Sequence, residues 1–197
     1  MINSESKKPI RRIGFDLDGV VLYNPIRMFR PLVAMAKKNV LHKENIKFFV
    51  PQKSLAKLLW NLVHKSSLFV SPGFYDTMKL LKDKNVEAYL ITARFGTLQE
   101  DFDKWMKKID AKSHFKAFYH NPKDEQPHLF KQRMIDELNL DMFIDDNWDI
   151  VNHLNNQFKD KDKKILWITN LLDSRIKYKY KFSSFKKLYH YLKSSLD

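Results

Sequence analysis

The chain contains no cysteine and only four glycines among its 197 residues. Without cysteine it can form no disulfide, no thiolate metal site and no cysteine nucleophile. The four glycines are Gly14, Gly19, Gly73 and Gly96. They make neither a GxGxxG nor a GxxxxGK[ST] pattern, so the dinucleotide-binding and P-loop interpretations lose their main support.

Long apolar runs are missing as well. No stretch approaches about 18 consecutive apolar residues, the length that a membrane-spanning helix needs, and the charged amino terminus has no apolar segment behind it. The composition is nevertheless 44% hydrophobic, which is enough for a core. We expect one soluble, cytoplasmic domain of ordinary size, with no membrane partner.

Acidic residues are outnumbered by basic ones, 23 to 36, which gives a formal net charge of +13. Such a surplus favours anionic partners: phosphate compounds, nucleic acid or a membrane surface. The lysines are scattered rather than clustered, so a spread over solvated faces explains the charge equally well. Nucleic acid therefore stays open as a partner, but it is not favoured.

Apolar segments of two kinds alternate along the chain. Short runs without helical periodicity indicate buried strands, and they lie at 12–18, 86–92, 115–120, 141–146 and 163–169. Segments with helical periodicity follow them, and Pro127 stands at a plausible first helical position. Alternating strands and helices predict an α/β, Rossmann-like fold, in which a parallel sheet carries helices on both faces.

One helical segment is too long to be a simple connection. Residues 24–70 interrupt the alternation directly after the first strand, where a connecting loop usually takes about 2–6 residues. We predict a core domain formed by 1–23 and 71–197, with 24–70 inserted as a small helical cap over the carboxyl ends of the strands.

Paired aspartates close two of the predicted strands. Asp16 and Asp18 end the first strand, and Asp145 and Asp146 end the fourth. In a parallel α/β sheet, ligands bind beyond the carboxyl ends of the strands. Like charges about 4 Å apart cost several kcal/mol, which a divalent cation with oxygen ligands relieves. The sequence therefore predicts a Mg²⁺ site. An EF-hand loop starting at Asp16 is excluded, because its twelfth position would be Arg27.

Four motifs in order resemble the haloacid dehalogenase-like (HAD) hydrolase superfamily over about residues 12–170. They are "DLDGV", "LITAR", a lysine in or before the fourth helix, and "FIDDN". The resemblance implies a five-stranded parallel sheet in the order 5-4-1-2-3, and the position of the insertion is similar to that of the family's C1 caps. The residues within the second and fourth motifs look most like those of the 5'-nucleotidase-type branch.

The resemblance also implies roles for the aspartates. Asp16 would be the nucleophile that forms an aspartyl-phosphate. Asp18 would be the general acid and then the general base, with its backbone carbonyl on Mg²⁺. Asp145 and Asp146 would complete the metal site with Asp16 and Asp18. Thr92 would hydrogen-bond the phosphoryl oxygens.

The remaining site assignments concern substrate binding. The resemblance places Thr92, Ala93, Arg94 and Lys131 around the phosphoryl group. Arg94 could equally close the start of a helix. Lys131 is the expected third-motif lysine, which offsets negative charge, and Lys123 is its rival.

These features together predict a Mg²⁺-dependent phosphomonoester hydrolase acting on a small phosphorylated metabolite such as a nucleoside 5'-monophosphate. One alternative is a phosphatase acting on nucleic-acid ends or on a protein. Another, of a different class, is a non-catalytic HAD scaffold that binds nucleic acid or a regulatory partner. The sequence does not define the oligomeric state or the pathway.

Overall fold

The structure, a computed structural model, describes residues 9–25, 67–170, 173 and 175–197. The predicted cap at 24–70 lies outside the described residues, except for 24–25 and 67–70. The predicted domain boundaries therefore stay a prediction. Everything below concerns the described part of the chain.

The described strands form two sheets. In chain order they are β1 (Arg12–Phe15), β2 (Leu22–Tyr23), β3 (Phe69–Val70), β4 (Glu87–Phe95), β5 (Ala117–Asn121), β6 (Met142–Asp145), β7 (Lys164–Ile168) and β8 (Lys181–Phe182). β2 and β3 pair antiparallel with each other. The other six form a parallel sheet in the order β5-β4-β1-β6-β7-β8. The five predicted strands thus have the predicted order, and the unpredicted β8 extends the sheet beside β7.

Helices connect these strands. They are α1 (Phe74–Asp83), α2 (Gln99–Lys108), α3 (Ala111–His114), α4 (Pro127–Glu137), α5 (Trp148–Gln157) and α6 (Phe185–Leu196). Pro127 opens α4, as predicted, because its fixed φ suits the first helical position. The Asn147 and Ser184 side chains accept backbone N–H groups at the starts of α5 and α6.

The hydrophobic core lies on both faces of the sheet because successive strand residues point to opposite sides. On one face, the β1 residues Ile13 and Phe15 belong to a cluster that includes buried side chains of α1, α2 and α6. On the other face, Phe143 of β6 belongs to a second cluster that includes side chains of α4 and α5. The fold is therefore a three-layer α/β arrangement, as predicted.

None of the described helices has the length and apolar character needed to cross a membrane.

β1 is central to the parallel sheet and has β4 on one side and β6 on the other. The chain builds outward from β1 first towards β5 and later, through β6, towards β8. Such a reversal of strand order leaves a crevice at the carboxyl ends of the central strands. The first and fourth predicted strands, β1 and β6, are neighbours. Their carboxyl ends, which carry the paired aspartates, therefore lie side by side.

Two histidines pack against each other between α4 and α5. The ring centroids of His128 and His153 lie 4.6 Å apart, and His153 Nε2 lies 2.8 Å from Gln132 Oε1. Burial lowers the pKa of both rings, and the proximity of His153 lowers the pKa of His128 further. The folded state therefore disfavours the charged form of both rings.

We expect this pair to make the free energy of unfolding pH-dependent. A lowered pKa in the folded state means that the unfolded chain takes up protons first as pH falls, so stability drops below about pH 6.5. His153→Gln should flatten the decline in melting temperature between pH 8 and pH 5. The matched control is His190→Gln, at an exposed position on α6, which should keep the wild-type slope. Equal slopes in all three proteins would contradict the prediction.

Candidate active site

The loop that follows β1 brings its two aspartates close to β6. The backbone N–H of Asp16 donates to the Ile144 carbonyl at 2.9 Å and so extends the β1–β6 ladder. The chain then turns at Gly19, which has a φ of +87°. A Cβ at that position would overlap the Asp146 carboxylate. Gly19 therefore supplies both the left-handed backbone and the close approach of Asp146 to the loop.

Three carboxylates meet at this point. Oxygens of Asp16, Asp145 and Asp146 lie within 4.8 Å of one another. Asp16 is 2% exposed and Asp145 is fully buried. The buried Lys131 ammonium bridges two of them, with Nζ 3.0 Å from Asp16 Oδ1 and 2.6 Å from Asp145 Oδ2. Lys131 thus pairs with two carboxylates of a cluster of three.

This donor set fits a hard divalent cation. Mg²⁺ takes oxygen ligands and is usually bound through one or two carboxylates together with water and substrate phosphate. Asp16, Asp145 and Asp146 offer such oxygens at adjacent strand ends. The Asn147 N–H fixes the Asp145 carboxylate by donating to Oδ1 at 2.9 Å. The fourth predicted ligand, Asp18, does not belong to this carboxylate cluster, and its predicted backbone contact with the metal stays a prediction.

Asp18 has a different set of neighbours. Its carboxylate accepts two hydrogen bonds from Arg94, from Nε at 2.8 Å and from Nη2 at 2.7 Å. A third comes from the Ser67 hydroxyl, at 2.7 Å. All three residues are buried. The two aspartates of the first motif, although two residues apart, therefore belong to separate charge networks.

The position of Arg94 follows from an irregularity in β4. The register with β5 shifts between Ile91 and Phe95, and Arg94 lies within this irregular stretch. Irregularities of this kind re-aim side chains, and they are common near active sites. The remaining guanidinium arm, Nη1, donates to Asp101 of α2 at 2.6 Å. Burial lowers the pKa of Arg94, but the Asp18 and Asp101 carboxylates outweigh this effect, so its pKa lies above the ordinary value.

Sequence analysis did not identify Ser67. It lies 49 residues from Asp18 in the chain, in no motif, and no periodicity marks it. Asn24 donates to the Ser67 hydroxyl oxygen at 3.3 Å. The two residues flank the β2–β3 pair, in which Tyr23 and Phe69 stack with centroids 5.0 Å apart and planes inclined by 15°.

The other predicted residues lie around this edge of the sheet. Thr92 is buried in β4, and its hydroxyl accepts the Arg94 N–H at 3.3 Å. Ala93 is half-buried. Lys123, the rival of Lys131, is exposed in the turn before α4. The substrate contacts predicted for Thr92, Ala93, Arg94 and Lys131 stay predictions.

No protein-family model matches this sequence, and no curated protein matches it. Solved structures do match its fold. A family IA HAD hydrolase from Entamoeba histolytica is 11% identical with a TM-score of 0.62, covering 95% of this chain and 99% of that one. CbbY from Rhodobacter sphaeroides, solved in complex with phosphate, is 12% identical with a TM-score of 0.57 and coverages of 91% and 96%.

A third structure, magnesium-bound YfnB from Bacillus subtilis, is 12% identical with a TM-score of 0.57, covering 94% of this chain and 99% of that one. All three match this chain over nearly their whole length. At these identities the likeness shows the fold, and the chain has the HAD-like fold that its motifs indicated.

The bridge formed by Lys131 leads to a stability prediction. Removal of one partner from a buried ion pair costs about 3–5 kcal/mol, so Lys131→Met should lower the free energy of unfolding by about that amount in metal-free buffer. Mg²⁺ should raise the melting temperature of the variant more than that of the wild type, because the acidic cluster then has lost its lysine.

The control for this variant is Lys161→Met. Lys161 pairs with Asp136 at 3.1 Å, but both side chains are largely solvated, and exposed pairs contribute only about 0–1 kcal/mol. Chemical denaturation in metal-free buffer measures the loss of stability, and thermal melting with and without Mg²⁺ measures the effect of the cation. If the two variants lost equal stability, the bridge would not hold the cluster together.

Proposed function

We propose that this protein is a Mg²⁺-dependent phosphomonoester hydrolase that works through an aspartyl-phosphate on Asp16. The observation that carries the proposal is the Lys131 bridge between Asp16 and Asp145, beside Asp146. It brings the Asp16 carboxylate, the Lys131 ammonium and the carboxylates of Asp145 and Asp146 together where β1 and β6 end, and this grouping supports the proposal. Phosphoryl transfer needs such positioned charges more than it needs covalent chemistry.

In the proposed reaction an Asp16 oxygen attacks phosphorus, and the bond from phosphorus to the leaving oxygen breaks. Asp18, in its protonated form, gives its proton to that oxygen and becomes a carboxylate. Water then attacks phosphorus while Asp18 takes up a proton, and inorganic phosphate leaves with Asp16 restored. Lys131 offsets charge on Asp16 and the phosphoryl group throughout. A bound Mg²⁺, held by Asp16, Asp145 and Asp146, would add Lewis-acid stabilisation of the phosphoryl oxygens.

The similar structures support the same chemistry. CbbY was solved with phosphate and YfnB with magnesium. Because these proteins are only 12% identical to this chain, their ligands support the reaction class but do not identify the substrate.

We further propose a small phosphomonoester as substrate, with a nucleoside 5'-monophosphate as first choice. Tyr23 and Phe69 are 39% and 47% exposed, and they stack on each other. An exposed aromatic pair near Asp18 offers a flat apolar surface to a nucleobase, and base–aromatic stacking is worth about 1–3 kcal/mol. The resemblance to the 5'-nucleotidase-type branch favours the same class.

Asp16→Asn should abolish hydrolysis of an aryl phosphate such as p-nitrophenyl phosphate, because an amide oxygen is a poor nucleophile and cannot form the acyl phosphate. The matched control is Asp136→Asn, at an exposed ion pair on α4, which should keep wild-type activity. Residual activity of Asp16→Asn within about tenfold of wild type would refute the role of Asp16 as nucleophile.

The substrate prediction calls for a panel assayed with Mg²⁺ and with EDTA: nucleoside 5'-monophosphates, sugar phosphates, a 5'-phosphorylated DNA end and a phosphopeptide. We expect the highest kcat/KM for a nucleotide, and no activity in EDTA until Mg²⁺ is restored. A higher kcat/KM for DNA ends or the phosphopeptide would favour the alternative phosphatases. Inactivity on the whole panel would favour a non-catalytic scaffold.

A further inference from the structure

The net positive charge of the chain is concentrated in one carboxyl-terminal segment. Seven basic residues and no acidic one lie between Arg175 and Lys193, and all 23 acidic residues of the chain lie outside this range. The segment therefore carries +7 of the formal net charge of +13. An uninterrupted group of cations of this kind is typical of a surface with an anionic partner.

A short loop before β8 presents three of these charges to solvent. Arg175, Lys177 and Lys179 are exposed, whereas each residue that follows one of them is half-buried. The half-buried residues are apolar or aromatic and pack against the two core clusters. The acids that flank the segment have partners of their own, since Asp173 accepts a hydrogen bond from Asn170 and Asp197 pairs with Lys84. The three cations therefore face outward, and neither flanking acid is directed to them.

Two hydrogen bonds hold this loop in place. The Tyr178 hydroxyl donates to the Ile165 carbonyl of β7 at 2.7 Å. The Lys181 ammonium donates to the Ile176 carbonyl, also at 2.7 Å, and lies over the Trp167 ring with Nζ 5.5 Å from its centroid. Lys181 thus serves the fold, and the loop is a fixed support for its three exposed cations.

The helix α6 continues this surface. Tyr191 of α6 contacts Tyr180 of the loop, with ring centroids 6.2 Å apart. Burial raises the pKa of the Tyr191 hydroxyl, and the Lys179 ammonium acts against that rise, so its charge lies near α6. Lys187 is exposed and precedes Tyr191 by four residues, which puts both on one side of the helix. We call these neighbouring cations the basic surface: Arg175, Lys177, Lys179 and Lys187.

We propose that the basic surface binds the phosphate backbone of a nucleic acid. Cations that neutralise backbone phosphates release condensed counterions, and this release supplies essentially all the affinity of sequence-independent binding. The aromatic residues between the cations pack against the core, so the surface offers charges rather than groups that read base edges. The proposal is separate from the proposed hydrolase activity, because no residue of the basic surface belongs to the acidic cluster.

A membrane surface is anionic as well, but the apolar side chains argue against it. Peripheral binding to a bilayer combines basic residues with apolar ones that enter the interface. The apolar face of α6 is buried in the core, through Phe185, Leu188 and Leu192. Nucleic acid therefore fits better. Among the described residues, the exposed large hydrophobic side chains all lie outside 175–193, and they are Tyr23, Leu68, Phe69, Tyr75 and Leu129.

Fluorescence anisotropy with a labelled DNA duplex of about 20 base pairs, two turns of the helix, tests the proposal. Four phosphate contacts should give a slope of log K against log salt concentration of about −3 to −4, and a second duplex of unrelated sequence should bind equally well. Lys177→Gln combined with Lys179→Gln removes two contacts. Affinity should then fall about tenfold to thirtyfold at about 0.15 M salt, and the slope should become shallower by about 2.

The matched control is Lys104→Gln combined with Lys107→Gln, which removes the same charge from exposed positions on α2. That helix lies towards the opposite end of the sheet, where its Phe102 contacts Phe118 of β5. The control should keep the wild-type affinity and slope. Equal weakening by both double variants would mean that only net charge matters and would overturn the proposal.

Two further results would also overturn it. One is a wild-type protein that does not bind either duplex. The other is binding to vesicles of phosphatidylcholine and phosphatidylserine that is tighter than binding to DNA and is lost in Lys177→Gln/Lys179→Gln. Because the substituted lysines lie outside the acidic cluster, that variant should hydrolyse p-nitrophenyl phosphate at the wild-type rate. A protein that binds DNA but hydrolyses nothing would refute the proposed function alone.

Discussion

The site depends on the pair of contacts that Lys131 makes with Asp16 and Asp145. The two acids come from β1 and β6, neighbouring strands whose sequence separation exceeds 120 residues. Lys131 comes from α4, which packs together with α5 on one face of the sheet. One ammonium therefore joins the central strand, its neighbour and one helical layer. Without Lys131, the Asp16 and Asp145 carboxylates would lie close together in a buried setting and would lose the positive charge that they share, which is costly.

Asp16 and Asp18 lie two residues apart in the chain but have different surroundings. Asp16 faces a lysine and two carboxylates, whereas Asp18 faces an arginine and a serine. Separate environments are the means by which active sites give two similar acids different tasks. The turn at Gly19 makes the separation feasible, since it lets Asp146 approach from β6 while the preceding residues stay in the loop.

Much of this arrangement could be predicted from the sequence. Alternating strands and helices dictate a parallel sheet, and a parallel sheet brings Asp16, Asp145 and Asp146 to one edge. β8 could not be predicted, because two residues are too short to show a strand period. Nor could the sequence decide between Lys123 and Lys131: both follow β5, and only the placement of α4 directs Lys131 inward.

The contacts of Asp18 with its partners could not be predicted from the sequence either, and the reason is related. Arg94 belongs to the predicted second motif, but it lies where the register of β4 with β5 shifts. That shift leaves no mark in composition or periodicity. Ser67 is brought to Asp18 by the pairing of two-residue strands, 49 positions away in the chain. Long-range contacts made by single polar residues depend on the finished backbone, whereas strand ends follow from local pattern.

The charge of the site also bears on the proposed metal. The chain as a whole carries a net charge of +13, yet its candidate site is acidic, since Lys131 pairs with two carboxylates of a cluster of three. A phosphomonoester dianion that approached this cluster would be repelled by it at short range, where screening by salt is weak. A divalent cation reverses the sign of that interaction, because it attracts both the carboxylates and the phosphoryl oxygens. The Mg²⁺ dependence that we propose would therefore supply the electrostatic condition under which the proposed anionic substrate reaches Asp16.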